Sequence, residues 1–212
     1  MELRFSQREL KDLAIAWIAL GVAFTAFYYH PEVRALLAGV QTNAALNVLA
    51  AGFAISMATA GVGFLLHELA HKVVAIHYGQ VAEFRADYNM LFLAVMAGLA
   101  GFLFAAPGAV YHRGFVTKRE QGLIALAGPV TNVALVGVFG VLWVAGGSVG
   151  EVVATVGWLG VIINALLAGF NMIPFGPLDG KKVMNWSRPV WVATALPMIG
   201  GAIFLLFGGI TL

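Results

Sequence analysis

Phe64-Leu65-Leu66-His67-Glu68-Leu69-Ala70-His71 sets three ionisable side chains inside an apolar run that extends from Ala45 to Tyr78. A helix needs roughly 20 apolar residues to cross the hydrocarbon core of a bilayer, and this run is longer. Working outward, comparable stretches cover Asp12 to Tyr29, Met90 to Tyr111, Gln121 to Ala145, Val152 to Ile173 and Val190 to Phe207, giving six apolar segments. The chain is 61% hydrophobic and 10% charged over 212 residues, with a mean hydropathy of +0.90. An ordinary soluble domain carries about 25% charged residues. These features predict an all-α polytopic membrane protein.

Within that frame the central motif reads as H-E-x-x-H. At i and i+4 the two imidazoles share one helix face about 6 Å apart, so both can reach one tetrahedral zinc while Glu68 addresses a water on the metal. Ionisable groups in hydrocarbon cost several kcal/mol unless paired or coordinated, so such a cluster marks a functional site. The sequence has no cysteine, which restricts a transition-metal site to His, Asp and Glu. The other histidines, His30, His77 and His112, are not preferred ligands.

A catalytic zinc usually takes three protein ligands. Among the aspartates Asp12, Asp87 and Asp179, the last lies in Asn171-Met172-Ile173-Pro174-Phe175-Gly176-Pro177-Leu178-Asp179-Gly180. The prolines end the preceding helix, and Gly180 permits unusual backbone, so Asp179 can turn back toward the bundle. Serving as the N-cap of the short Lys181–Met184 stretch is the lesser alternative.

At these residues the sequence resembles the site-2 protease family of intramembrane metalloproteases. Asn171, Pro174, Pro177, Asp179 and Gly180 are similar to the family's second motif, and Ala127-Gly128-Pro129 with Asn132 to its intervening helix. The resemblance covers about Gly61 to Lys182. It implies Asp179 as third metal ligand, Glu68 as general base, and Asn171 as an oxyanion-stabilising or substrate-positioning group. Gly128, Pro129, Asn132, Pro174, Pro177 and Gly180 are then structural supports. It further implies one zinc per chain and a membrane-dipping β segment that holds unwound substrate. Residues 1–212 are expected to form one membrane-embedded domain, with 61–182 as catalytic core and 1–44 and 183–212 as peripheral helices.

Topology supplies a separate constraint. Both motifs lie toward the C-terminal ends of their helices, so they meet only if an even number of crossings separates them. That holds if Met90 to Tyr111, interrupted by Gly98, Gly101 and Pro107-Gly108, dips into the bilayer near residues 84–116 and returns. Lys and Arg in short loops favour the cytoplasmic side. With the dipping topology, Arg34 alone of the 12 Lys and Arg falls outside. The expectation is five full crossings, a re-entrant and partly β segment, a cytoplasmic N-terminus and an active site in the cytoplasmic half of the cell membrane.

The N-terminus, Met1 to Asp12, is charged and does not resemble a cleavable signal, so the first apolar run is expected to remain as an anchor. The formal charge is only +2 and its basic residues are scattered through loops, which does not suit nucleic acid. Gly146-Gly147-Ser148-Val149-Gly150 matches G-x-S-x-G but lacks the flanking strand that a nucleophile elbow requires, and is read as a tight interhelical turn. Together these readings predict a zinc endopeptidase acting on a transmembrane protein or peptide within the lipid bilayer. The other classes compatible with the residues are a metal-ion transporter, which calls for inverted repeats, and a non-catalytic scaffold that binds membrane helices.

Overall fold

The computed structural model describes residues 3–40, 42–102 and 108–208. Its elements in chain order are α1 (Gln7–Tyr28), α2 (His30–Leu37), α3 (Asn43–Ser56), a π turn (Met57–Gly61), α4 (Val62–His77), β1 (Val81–Ala86), α5 (Tyr88–Leu99), β2 (Gly108–Arg113), α6 (Lys118–Val149), α7 (Glu151–Asn171), α8 (Asp179–Trp186) and α9 (Arg188–Phe207). Among the described residues, five helices are long and apolar enough to cross a membrane: α1, the continuous Asn43–His77, α6, α7 and α9. The protein is therefore an all-α polytopic membrane protein with a small two-stranded sheet, β1 beside β2.

The segment expected to re-enter has no spanning helix among its described residues. Its helix α5 has 12 residues, about 18 Å at 1.5 Å per residue, short of the roughly 30 Å hydrocarbon core. Asp87 ends β1 and caps α5 by accepting from the Asn89 and Met90 N–H groups, both at 3.1 Å. Strand β2 begins at Gly108. Pro107, one of the expected interruptions, and the rest of 103–107 lie outside the described residues.

Two compact units are distinguishable. One comprises Phe5–Val62 and Phe84–Ala109, in which α1 packs against α3, the π turn and α5. Small residues permit these approaches: Gly98 lies against the backbone of Ala23, and Gly52 against the Tyr29 ring. The four-residue spacing of Gly52, Ser56 and Ala60 is thus part of a buried helix face. In the π turn the Met57 carbonyl accepts from Val62 N–H and also from the Trp17 indole at 3.0 Å. The π turn ends at Gly61, six residues before His67.

The acidic start of α1 has an internal use. Glu9 and Asp12 are buried. Glu9 Oε1 accepts from Phe84 N–H at 3.0 Å, while Asp12 accepts from Ala86 N–H at 3.4 Å and from the Tyr88 hydroxyl at 2.6 Å. Two carboxylates thus satisfy alternate N–H groups along one edge of β1, which blunts that edge against pairing with another strand.

The second unit comprises Met1–Arg4, Gly63–Glu83 and Val110–Leu212. Here α6 packs on α7 and α8, and α9 packs on α7 and α8. Gly157 faces the backbone at Trp143, and Gly160 faces the Phe139 ring, so α6 and α7 approach closely. Helix α6 runs on through Gly146 to Val149, and the reversal falls on Gly150 alone, at φ 143°. The expected five-residue turn contracts because Gly146 packs against the backbone of Ala154, which keeps that stretch helical and close to α7.

Helix α6 starts with a complete capping box. Thr117 Oγ1 accepts from Glu120 N–H at 3.2 Å, and Glu120 Oε2 accepts from Thr117 N–H at 2.7 Å. Thr117→Ala is expected to lower stability by about 1 kcal/mol, read as a lower unfolding midpoint in detergent at unchanged zinc content.

Candidate metal centre

Helix α4 carries His67, Glu68 and His71, all buried. One helical turn separates the imidazoles, which meet edge to face with centroids 4.6 Å apart. Their Nε2 atoms are 3.0 Å apart. Each Nδ1 faces an oxygen: His67 faces Asn132 Oδ1 at 2.6 Å, and His71 faces the Ile124 carbonyl at 2.7 Å. A carbonyl oxygen only accepts, so each imidazole carries its proton on Nδ1 and turns a bare Nε2 lone pair inward.

Helix α6 supplies both oxygens because its backbone lies against the imidazoles. A Cβ built on Gly128 would sit 2.5 Å from His67 Nε2 and 2.6 Å from His71 Nε2. Pro129, wholly buried in the next position, has no N–H for the Ala125 carbonyl four residues earlier.

The third group arrives from α8. After α7 the chain passes through Pro174, Gly176 (φ 56°) and Pro177, and Leu178 occupies the cap position. Asp179 is therefore the first residue of α8 and not its N-cap. Its Oδ2 lies 3.1 Å from His71 Nε2 and 3.4 Å from His67 Nε2. Any side chain at Gly180 would run into the backbone of Met172, so glycine is what lets α8 start there. Lys182 Nζ reaches Asp179 Oδ1 at 3.3 Å.

This donor set fits zinc. With zinc–ligand bonds of about 2.0–2.1 Å, tetrahedral ligand atoms stand about 3.3 Å apart. The three separations here are 3.0, 3.1 and 3.4 Å. Two bare imidazole nitrogens and a carboxylate oxygen so placed repel one another unless a cation lies among them. Glu68 borders the same point, since the ligand atoms offered by His67, Glu68 and His71 all lie within 4.8 Å of one another. Among the described residues, its Oε2 is buried without a partner.

Asn171 ends α7 half-buried, with its amide donating to the Leu167 carbonyl at 2.9 Å. Three participants have no place in the sequence reading, the Ile124 carbonyl, Gly63 and Asn164, and a fourth, Lys182, enters there only as a sidedness charge. Main-chain oxygens leave no mark in side-chain identity. Asn164 did offer a signal, as an amide inside an apolar run. His112 lies on the inward face of β2 with its Nδ1 buried. Burial holds its imidazole below the usual histidine range, with the charge of Lys182 adding to the effect. Lys72, read as a sidedness charge, is wholly buried, and its Nζ donates to the Arg4 carbonyl at 2.7 Å.

No protein-family model matches the chain, and no solved structure does. Among curated proteins, the chain is similar to "Putative zinc metalloprotease MJ0611" of Methanocaldococcus jannaschii, with 41% identity over 206 residues, 96% of this chain and 97% of that one. The like-named Rip3 of Mycobacterium tuberculosis is 34% identical over 146 residues, 66% of this chain and 33% of its own length. YwhC of Bacillus subtilis, named likewise, is 30% identical over 165 residues, 69% and 74% of the two chains. The first of these matches runs almost end to end, and it falls on a chain whose buried donor set suits zinc. The chain is a multi-pass membrane zinc metalloprotease and belongs to the site-2 protease family.

Proposed function

We propose that the protein hydrolyses peptide bonds within or near transmembrane helices of membrane-protein substrates, as in regulated intramembrane proteolysis. The supporting observation is the burial of His67, Glu68 and His71 in a helix long enough to cross the bilayer, Asn43–His77. His71 stands six residues before the end of that helix, about 9 Å from it. The bias of Lys and Arg supports placing that end on the cytoplasmic side of the cell membrane.

His67, His71 and Asp179 would hold the zinc. When bound, the ion supplies a Lewis acid that lowers the pKa of water and polarises a carbonyl. Glu68 takes the proton of the attacking water and passes a proton to the leaving amine nitrogen. Its position suits both transfers, because it borders the ligand nitrogens and its Oε2 is buried without a partner among the described residues. Asn171, at the end of α7, would release Leu167 and donate to the scissile carbonyl. A substrate helix has to unwind first, since its carbonyls are otherwise hydrogen-bonded within the helix. Substrates with helix-breaking residues near the cut are therefore favoured.

The test is cleavage of a membrane-spanning peptide by purified protein in detergent. Glu68→Gln is expected to lower turnover by about 10²- to 10⁴-fold while zinc content stays near that of the wild type. Chelation should abolish cleavage, and added zinc should restore it. Turnover that survived in Glu68→Gln would remove the glutamate from the reaction. Cleavage of soluble peptides alone would refute the intramembrane assignment.

A further inference from the structure

Asn164 lies in the middle of α7 and is wholly buried. An amide without partners at that depth is costly, so its hydrogen bonds reveal what it is for. Its Nδ2 donates to the Gly160 carbonyl, one turn back in the same helix, at 2.8 Å. That carbonyl can only accept. The amide of Asn164 consequently has one orientation, with Oδ1 turned away from Gly160.

Asn164 Oδ1 accepts from Asn132 Nδ2 at 2.9 Å, and the same Nδ2 also donates to the Gly63 carbonyl at 3.2 Å. Both hydrogens of Asn132 are thereby committed, and its Oδ1 is left facing His67 Nδ1. An amide oxygen requires a proton on that nitrogen. His67 Nε2 is then bare and available to the metal. In a reversed Asn132 amide, the oxygen would oppose both Asn164 Oδ1 and the Gly63 carbonyl. The NH₂ would face His67 Nδ1, drawing the imidazole proton to Nε2, where it would block the ligand position.

Gly63 is part of the same arrangement. A Cβ there would lie 2.5 Å from Asn164 Oδ1, so glycine is what allows α7 to bring the amide between α4 and α6. A main-chain carbonyl that cannot be reversed thus sits at one end of a chain of hydrogen bonds, and the metal-facing nitrogen at the other.

We propose that Asn164 is a positioning residue of the metal centre, which fixes the Asn132 amide and through it presents the His67 Nε2 lone pair to zinc. This rests on the zinc reading of the site, and it adds a residue that touches neither metal nor substrate. Outer partners that orient a metal-binding histidine are typically worth about 10- to 100-fold in affinity.

The experiment measures zinc affinity of the full chain in detergent by competition with a chromogenic chelator. Asn164→Leu, which keeps much of the volume and removes both hydrogen bonds, is expected to weaken zinc by about 10- to 100-fold. If the effect passes through Asn132, adding Asn164→Leu to Asn132→Ala should cost less than about threefold more, because coupled sites are not additive. Should Asn164→Leu fail to fold, Asn164→Ala serves the same cycle. Imidazole ¹⁵N spectra of the zinc-free protein provide a readout without metal: His67 is protonated on Nδ1 in the wild type and shows mixed tautomers in the variant. Unchanged zinc affinity would overturn the proposal, and so would an equal loss in both backgrounds. A wild type without zinc affinity would instead overturn the metal centre on which the proposal rests.

Discussion

Asp179→Ala is expected to weaken zinc binding by two to three orders of magnitude, leaving protein purified with micromolar chelator nearly metal-free. Four-ligand structural zinc sites bind with about 10–16 kcal/mol, roughly 3 kcal/mol for each ligand, and 1.4 kcal/mol is a factor of ten. Asp179 is the one acidic side chain whose oxygen lies within 3.4 Å of both imidazole Nε2 atoms among the described residues. Its removal leaves two neutral nitrogens and no compensating charge. Asp179→Asn, which keeps an oxygen but loses the charge, should fall between alanine and wild type. Zinc content and affinity unchanged in Asp179→Ala would strike it from the ligand set.

Gly128→Ala is expected to be nearly as damaging, although the residue contributes no ligand atom. Its added methyl would stand 2.5 and 2.6 Å from the two Nε2 atoms, well inside contact distance. Neither imidazole can retreat freely, because each Nδ1 is tied to α6, through Asn132 and Ile124. Overpacking of this kind costs about 1–3 kcal/mol in an ordinary core. A displacement near 1 Å at a reacting centre can cost about 100-fold in rate. Turnover should therefore drop by about 100-fold or more, with zinc affinity lowered in parallel. Gly147→Ala, in open space near the end of α6, should leave both unchanged and controls for helix propensity. A Gly128→Ala protein with wild-type turnover would show that α6 does not lie against the imidazoles.

Much of the membrane architecture is readable from hydropathy, because the length of an apolar run and the solvent it requires are coupled. Hydropathy alone leaves Met90 to Tyr111 open; the parity of crossings and the Lys and Arg bias are what set the expectation that it dips and returns. Helix α5 stops at Leu99, and β2 follows from Gly108, as the interruptions at Gly98 and Gly101 imply. The internal carboxylates of α1 were less accessible. Glu9 and Asp12 look like an interfacial N-terminus, yet they accept hydrogen bonds from β1, and only the fold brings that strand to them. Gly146 to Gly150 misleads in the other direction, since a glycine-rich stretch reads as a turn unless a neighbouring helix is close enough to need the space.

For the metal centre, the pairing of His67 with His71 follows from residue order, since 3.6 residues per turn puts i and i+4 on one face wherever the helix lies. Residue order also supplies Glu68 between them and a short choice of aspartates. Tertiary structure decided the rest. It put Asp179 at the start of α8 and not in its cap, brought α6 against the imidazoles at Gly128, and turned the Ile124 carbonyl and the Asn132 and Asn164 amides into a proton-fixing frame. The reason is physical: helical periodicity is local and survives in the order of residues. A lone pair becomes a ligand only through hydrogen bonds from distant segments, and half of those end on main-chain atoms that every residue shares.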